Sequence, residues 1–203
     1  AFIKCHEKTI ITYFCSKDLR MQQQNKTSVI IAVLLVLVAA ISRVLLYPNY
    51  NFSPMVGMAI FAGATFTNKK LAFALPIVSM LLSDIMLEMV SAGTGFWGWG
   101  QLAGYGILAF ITLFAFNLKR INVKNVFIYA VSATLIFYVL SNASVWIFDS
   151  HQMYARSWQG FVSCMATGIP FIKHTLIATL VFSGVLFGGY ALLTQKATSA
   201  ASV

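Results

Sequence analysis

The stretch "LAFALPIVSMLLSDIMLEMV", Leu71–Val90, decides the fold class. It is long and apolar enough to cross a bilayer, because about 20 helical residues span roughly 30 Å of hydrocarbon. Its second part, "VSMLLSDIMLEMV" (Val78–Val90), carries Asp84 and Glu88. Four residues apart, they project from one face of a helix. A charge at depth in lipid costs a few kcal/mol unless it is paired or hydrated. The two acids pose the functional question: a site, a tie between helices, or a helix end meeting water.

The rest of the chain repeats the theme. Of 203 residues, 59% are hydrophobic and 9% charged, against about 25% charged in a soluble domain. The mean hydropathy is +0.81. An all-α polytopic membrane protein with one membrane domain is expected. Six apolar segments can be drawn: Val29–Tyr47, Pro54–Thr67, Leu71–Val90, Gln101–Asn117, Val126–Phe148 and Thr175–Leu193. The second is short, roughly 14 to 16 residues against the ~20 that lipid demands. It is rich in small residues, with Ala59 four before Gly63, a spacing that lets helices approach closely. The stretch before the sixth segment, "SWQGFVSCMATGIPF", is interrupted by Gly and Pro and is expected to lie at the surface or dip into the membrane.

The net charge is +9. No basic patch with interleaved aromatics accompanies it, so nucleic acid is not the expected partner. The cations sort by connection instead. Lys26, Lys69, Lys70, Lys119, Arg120, Lys124 and Lys196 fall on one side of a six-span path, and the alternate connections hold only Arg156. The positive-inside rule then puts both termini in the cytoplasm. Residues 1–27 become a cytoplasmic tail, 28–193 the six-helix domain and 194–203 a second cytoplasmic tail. Residues 1–20 read as an upstream extension or a poorly ordered tail, because "MQQQNKTSVIIAVLL" from Met21 looks like a fresh start.

This topology assigns a depth to each polar residue. Arg43, Asp84, Glu88, Asn142, Lys173 and His174 fall in the outer half, with Trp97, Trp99, Trp146 and Trp158. Tryptophan and Glu88 near helix ends have an interfacial explanation. Asp84 and Asn142 lie about one and a half turns inside and call for a buried network or a site. Arg43 is the natural counter-charge of Asp84. Arg43 and Lys173 suit an anionic group on a ligand, and the tryptophans suit a ring. The outline is a pocket open to the outside.

Other motifs fall away. "GTGFWG" spells GxGxxG at Gly93, Gly95 and Gly98, but it follows a membrane helix and reads as a flexible turn rather than a dinucleotide site. No P-loop, HExxH or GxSxG occurs, so no ATPase and no enzyme is expected. His151 and His174 lack partners at metal-ligand spacing. Cys5, Cys15 and Cys164 form no disulfide or metal pattern. The sequons at Asn25, Asn51 and Asn142 do not read as glycosylation sites. No cofactor is expected.

Four blocks carry a resemblance: "NFSPMVGMAIFAGATF", "LPIVSMLLSD", "SNASVWIF" and "GIPFIKHTLIATLVFSGVLFG". In order and spacing they resemble an uncharacterised family of bacterial membrane proteins described as substrate-binding (S) components of energy-coupling factor (ECF) transporters. The likeness covers about residues 28–193. It implies a six-helix bundle that captures a vitamin-like micronutrient on the outer side and docks on a T subunit driven by two ATPases. Carried over by position, Asn51, Phe52 and Pro54 belong to the loop that covers the ligand. Asp84, Asn142 and Trp146 are the pocket candidates, with Lys173 as anion partner. One departure stands out: such proteins often carry Ala-x-x-x-Ala in the first helix for docking, and this chain has Ala32, Ala39 and Ala40 without that pair, Ser28 and Ala32 being a weak substitute. A membrane scaffold of the cell envelope, with Asp84 tying helices together, is the alternative reading.

Overall fold

The computed structural model describes residues 34–45, 52–90, 95, 96, 98–148 and 153–200, with side chains as far as residue 192. The expected N-terminal tail lies outside these residues, as do Asn51, Trp97 and His151. Six helices run through the described residues: α1 (Leu34–Leu45), α2 (Met55–Thr65), α3 (Lys69–Val90), α4 (Trp99–Ala115), α5 (Val123–Ile147) and α6 (Trp158–Ala200). Among those residues there is no strand. α3, α5 and α6 are long and apolar enough to cross a membrane, whereas α1, α2 and α4 are shorter apolar helices.

Local chemistry explains the boundaries. Asn122 caps α5, its side chain accepting the Asn125 N–H at 2.8 Å, which satisfies one orphan donor of the first turn. Gly98 opens α4 with φ +80°, a conformation that favours glycine. Lys69 and Lys70 begin α3, where the helix dipole disfavours cations. Lys69 is partly compensated by the ring of Phe116, 3.7 Å from its ammonium.

α2 is the hub. It packs against α3, α4, α5 and α6, and nine of its eleven residues, Met55 to Gly63, are buried. Its small residues make this possible. A Cβ on Gly63 would stand 2.5 Å from the Thr112 carbonyl and 2.7 Å from Ala115 of α4. Gly57 opens the same kind of approach to α6, where a Cβ would lie 3.3 Å from the Ser183 nitrogen. The shortness that sets this segment apart in the sequence fits a helix wrapped by protein rather than lipid.

The outer surface of the bundle is apolar, and its mainly apolar core also takes in polar chains. Leu37, Val38, Leu81, Ile85, Phe110, Leu113, Phe127, Leu135, Val181 and Val185 are exposed, while Ser79, Ser83, Asp84, Gln101, Thr112 and Thr134 are buried. Apolar chains outside and hydrogen-bonded polar chains inside are what hydrocarbon as solvent selects.

One expectation is overturned. The stretch before the sixth segment is not a separate surface helix. It is the first part of α6, which continues unbroken for 43 residues with Pro170 inside it. Proline removes a helix donor and displaces the carbonyl four residues back. Close by, one residue before the Ala166 carbonyl that loses its partner, the Tyr138 hydroxyl of α5 donates to the Met165 carbonyl at 2.5 Å. Thr167 adds a bond to the Ser163 carbonyl at 2.8 Å.

Candidate functional site

Two polar structures occupy the same end of the bundle, where α1, α3 and α5 finish and α4 and α6 start. The first is a knot around Asp84, which is fully buried. Arg43 of α1 forms an ion pair with its Oδ1. The same Nη1 donates to Ser83 Oγ at 2.6 Å and reaches the Met80 carbonyl at 3.4 Å. From α4, Gln101 Nε2 donates to Asp84 Oδ2 at 2.7 Å and the Tyr105 hydroxyl donates to the same oxygen at 2.8 Å. Gln101 and Tyr105 are one turn apart, so one face of α4 delivers both.

The knot extends into the connection between α3 and α4. Gln101 Nε2 also donates to the Gly95 carbonyl at 3.0 Å, and the Gly95 N–H donates to Glu88 Oε2 at 3.0 Å. A Cβ at Gly95 would collide with the Asp84 carbonyl and the Glu88 side chain. Gly95 therefore is not part of a loose turn, as the sequence suggested. It is a seat pressed onto α3, and only glycine fits there. Glu88 is correspondingly not just a wet helix end: it anchors that seat.

The second structure is a cavity of about 400 Å³ walled by α1, α2, α3, α4, α5 and α6, within the usual range of small-molecule sites. Arg43 contributes the charged part of its wall. Met55, Val56, Met80, Ile107, Leu108 and Phe137 supply apolar surface. Along α5 and α6 the wall is polar, with Ser141, Asn142, Ser144, Thr167 and Thr175. Gly168 lets Asn142 lie against α6, since a Cβ there would overlap the amide. The Asn142 nitrogen donates to the Tyr138 carbonyl at 2.8 Å.

The residues singled out in the sequence divide accordingly. Arg43 and Asn142 line the cavity. Asp84 does not: it stands behind Arg43 with both oxygens occupied. Trp146 is outside the wall as well. Its indole N–H donates to the Ala155 carbonyl at 3.0 Å, its ring meets Phe161 edge-on at 5.6 Å, and its carbonyl accepts from Arg156. It closes the α5–α6 turn. Lys173 is exposed and His174 half-buried, and neither lines the cavity, because the wall runs along the α6 face of Cys164, Gly168, Phe171 and Thr175. Asn51 lies outside the described residues.

Sequence reasoning missed Gln101, Tyr105 and most of the α5–α6 wall. A signal for the first two was present: a buried aspartate needs more than one donor, and the four-residue spacing of Gln101 and Tyr105 offers two on one face. Among the described residues no group of His, Cys, Asp and Glu could hold a metal ion.

Residues 23–201 match a family of unknown function (DUF6580), and the chain belongs to that family. No curated protein and no solved structure matches it.

Proposed function

We propose that this member of the DUF6580 family is the substrate-capturing membrane component of an uptake system, of the ECF S-component type. The observation that carries the reading is the cavity of about 400 Å³ with a guanidinium on one side and a hydroxyl and amide wall on the other. A void with a polar wall is costly inside a packed bundle. A small molecule with apolar body and polar edge would fill it. On this reading the bilayer is a bacterial inner membrane, both termini face the cytoplasm and the cavity end faces out. The ligand is a vitamin-like micronutrient. Energy comes from a separate T subunit and two ATPases, and the chain itself performs no catalysis.

The test is co-expression with an ECF module, followed by pull-down and uptake in whole cells. Retention of the T subunit and ATPases, with substrate accumulation that depends on ATP hydrolysis, is the expected result. A chain that retains neither partner and holds no small molecule in a vitamin screen would sink the reading.

The knot around Asp84 favours a second reading, a membrane scaffold whose polar residues serve only to lock helices. It predicts that lipid or side-chain motion fills the cavity and that no soluble small molecule binds there.

A further inference from the structure

We propose that the cavity selects an uncharged ligand, one that accepts a hydrogen bond at Arg43 and donates to the wall made by α5 and α6. This rests on the uptake reading and names the chemical class of its substrate. It departs from the anionic ligand that Arg43 and Lys173 suggest in the sequence.

Charge comes first. Among the described residues that line the cavity, Arg43 alone belongs to the Arg, Lys, His, Asp and Glu group. Its charge is already matched by Asp84, in a salt bridge on its other side. Lys173 does not reach the cavity. A carboxylate entering here would share one guanidinium with Asp84 and leave a net negative charge beside the fully buried Asp84. A buried charge without its own partner is strongly disfavoured.

Hydrogen-bond capacity points the same way. All three bonds of Arg43 leave from Nη1. A guanidinium carries five donors in a fixed fork, so Nη2 and Nε keep donors for a carbonyl or ring nitrogen. The opposite wall is turned around. Ser144 donates to the Ser141 carbonyl at 2.7 Å, Thr167 to Ser163 at 2.8 Å and Thr175 to Phe171 at 3.2 Å. With those hydrogens given to their own helix, what the hydroxyls offer the cavity is lone pairs. Carboxylates have only lone pairs to offer in return. An amide, lactam or ureide carries both halves: an acceptor for Arg43 and N–H donors for the hydroxyls.

The experiment uses the full chain in lipid nanodiscs and a library of matched probes, primary amides paired with their carboxylic acids on the same one- and two-ring scaffolds, beginning with benzamide and benzoate. Equilibrium dialysis with mass spectrometry reads the bound fraction. Amides are expected to bind at least about tenfold more tightly than their acids. In Asp84→Asn, which leaves the Arg43 charge unmatched, the preference should move toward the acids. The wild-type comparison decides even if that variant does not fold. Equal or tighter binding of the acids overturns the uncharged-ligand inference while leaving the uptake reading intact. No binding by any probe of either series counts against both.

Discussion

The Asp84 knot and the α5–α6 wall stand within one guanidinium of each other, yet they spend their polar groups in opposite ways. In the knot, each carboxylate oxygen of Asp84 meets donors from neighbouring helices, and a glycine is pressed against the back of α3. In the wall, Ser144, Thr167 and Thr175 bond only within their own helices and face a void. Buried polar groups that are saturated by other helices hold a bundle together. Those that are saturated only locally leave capacity for something else. The distinction lies in where the partners come from, since both regions draw on similar residue types.

The largest effect should come from Asp84→Ala. It strands Arg43 and two α4 donors, and breaking a buried pair costs about 3–5 kcal/mol. Thermal unfolding in detergent should show a severely destabilised bundle. A variant that melts like the wild type would dissolve the comparison at its centre. Next, Tyr105→Phe removes one donor to a charged acceptor, a loss of about 1.5–3 kcal/mol, or nearer 0.6 kcal/mol if the membrane values for interhelical bonds apply. Its melting temperature should fall between those of Asp84→Ala and the wild type.

A cavity-wall variant sharpens the contrast. Asn142→Ala cuts a bond internal to α5 and should cost about 1 kcal/mol or less in stability, while weakening any ligand that reaches the wall by roughly tenfold. Dialysis and melting measured on the same sample separate the two. Equal losses at Asn142 and Asp84 would mean that wall and knot are one structure. The smallest effect belongs to Lys173→Ala, an exposed site off the cavity, expected within about 0.5 kcal/mol and without change in binding. A clear binding defect there would restore Lys173 to the site.

Helices are legible in this sequence because lipid demands a long apolar run and leaves a strong periodic trace. Alternation of basic connections orders them. That the polar residues Arg43, Asp84 and Asn142 gather at one end follows from the same count; that Arg43 and Asp84 meet does not, because a shared depth leaves open which helices adjoin. The partition between knot and cavity was not legible. It depends on which face of α4 meets α3, and Gln101 sits near a helix end where polar residues are ordinary. Gly95 gave no hint of its role, because a glycine chosen for close packing is spelled like a glycine chosen for a turn. The continuity of α6 was hidden by Pro170, because a proline inside a helix is spelled like a proline that ends one.

That continuity has a mechanical meaning. At 1.5 Å per residue, the 43 residues of α6 make a rod of roughly 65 Å. Even at a tilt of about 40°, a bilayer core of about 30 Å swallows only some 40 Å of it. About a third of the rod must stand clear of the hydrocarbon, and its last residues, "TQKATSA", are suited to water. One end of this strut forms a cavity wall at Gly168 and Thr175. α6 is therefore a continuous rod that walls the cavity near its start and runs on past that wall to Ala200.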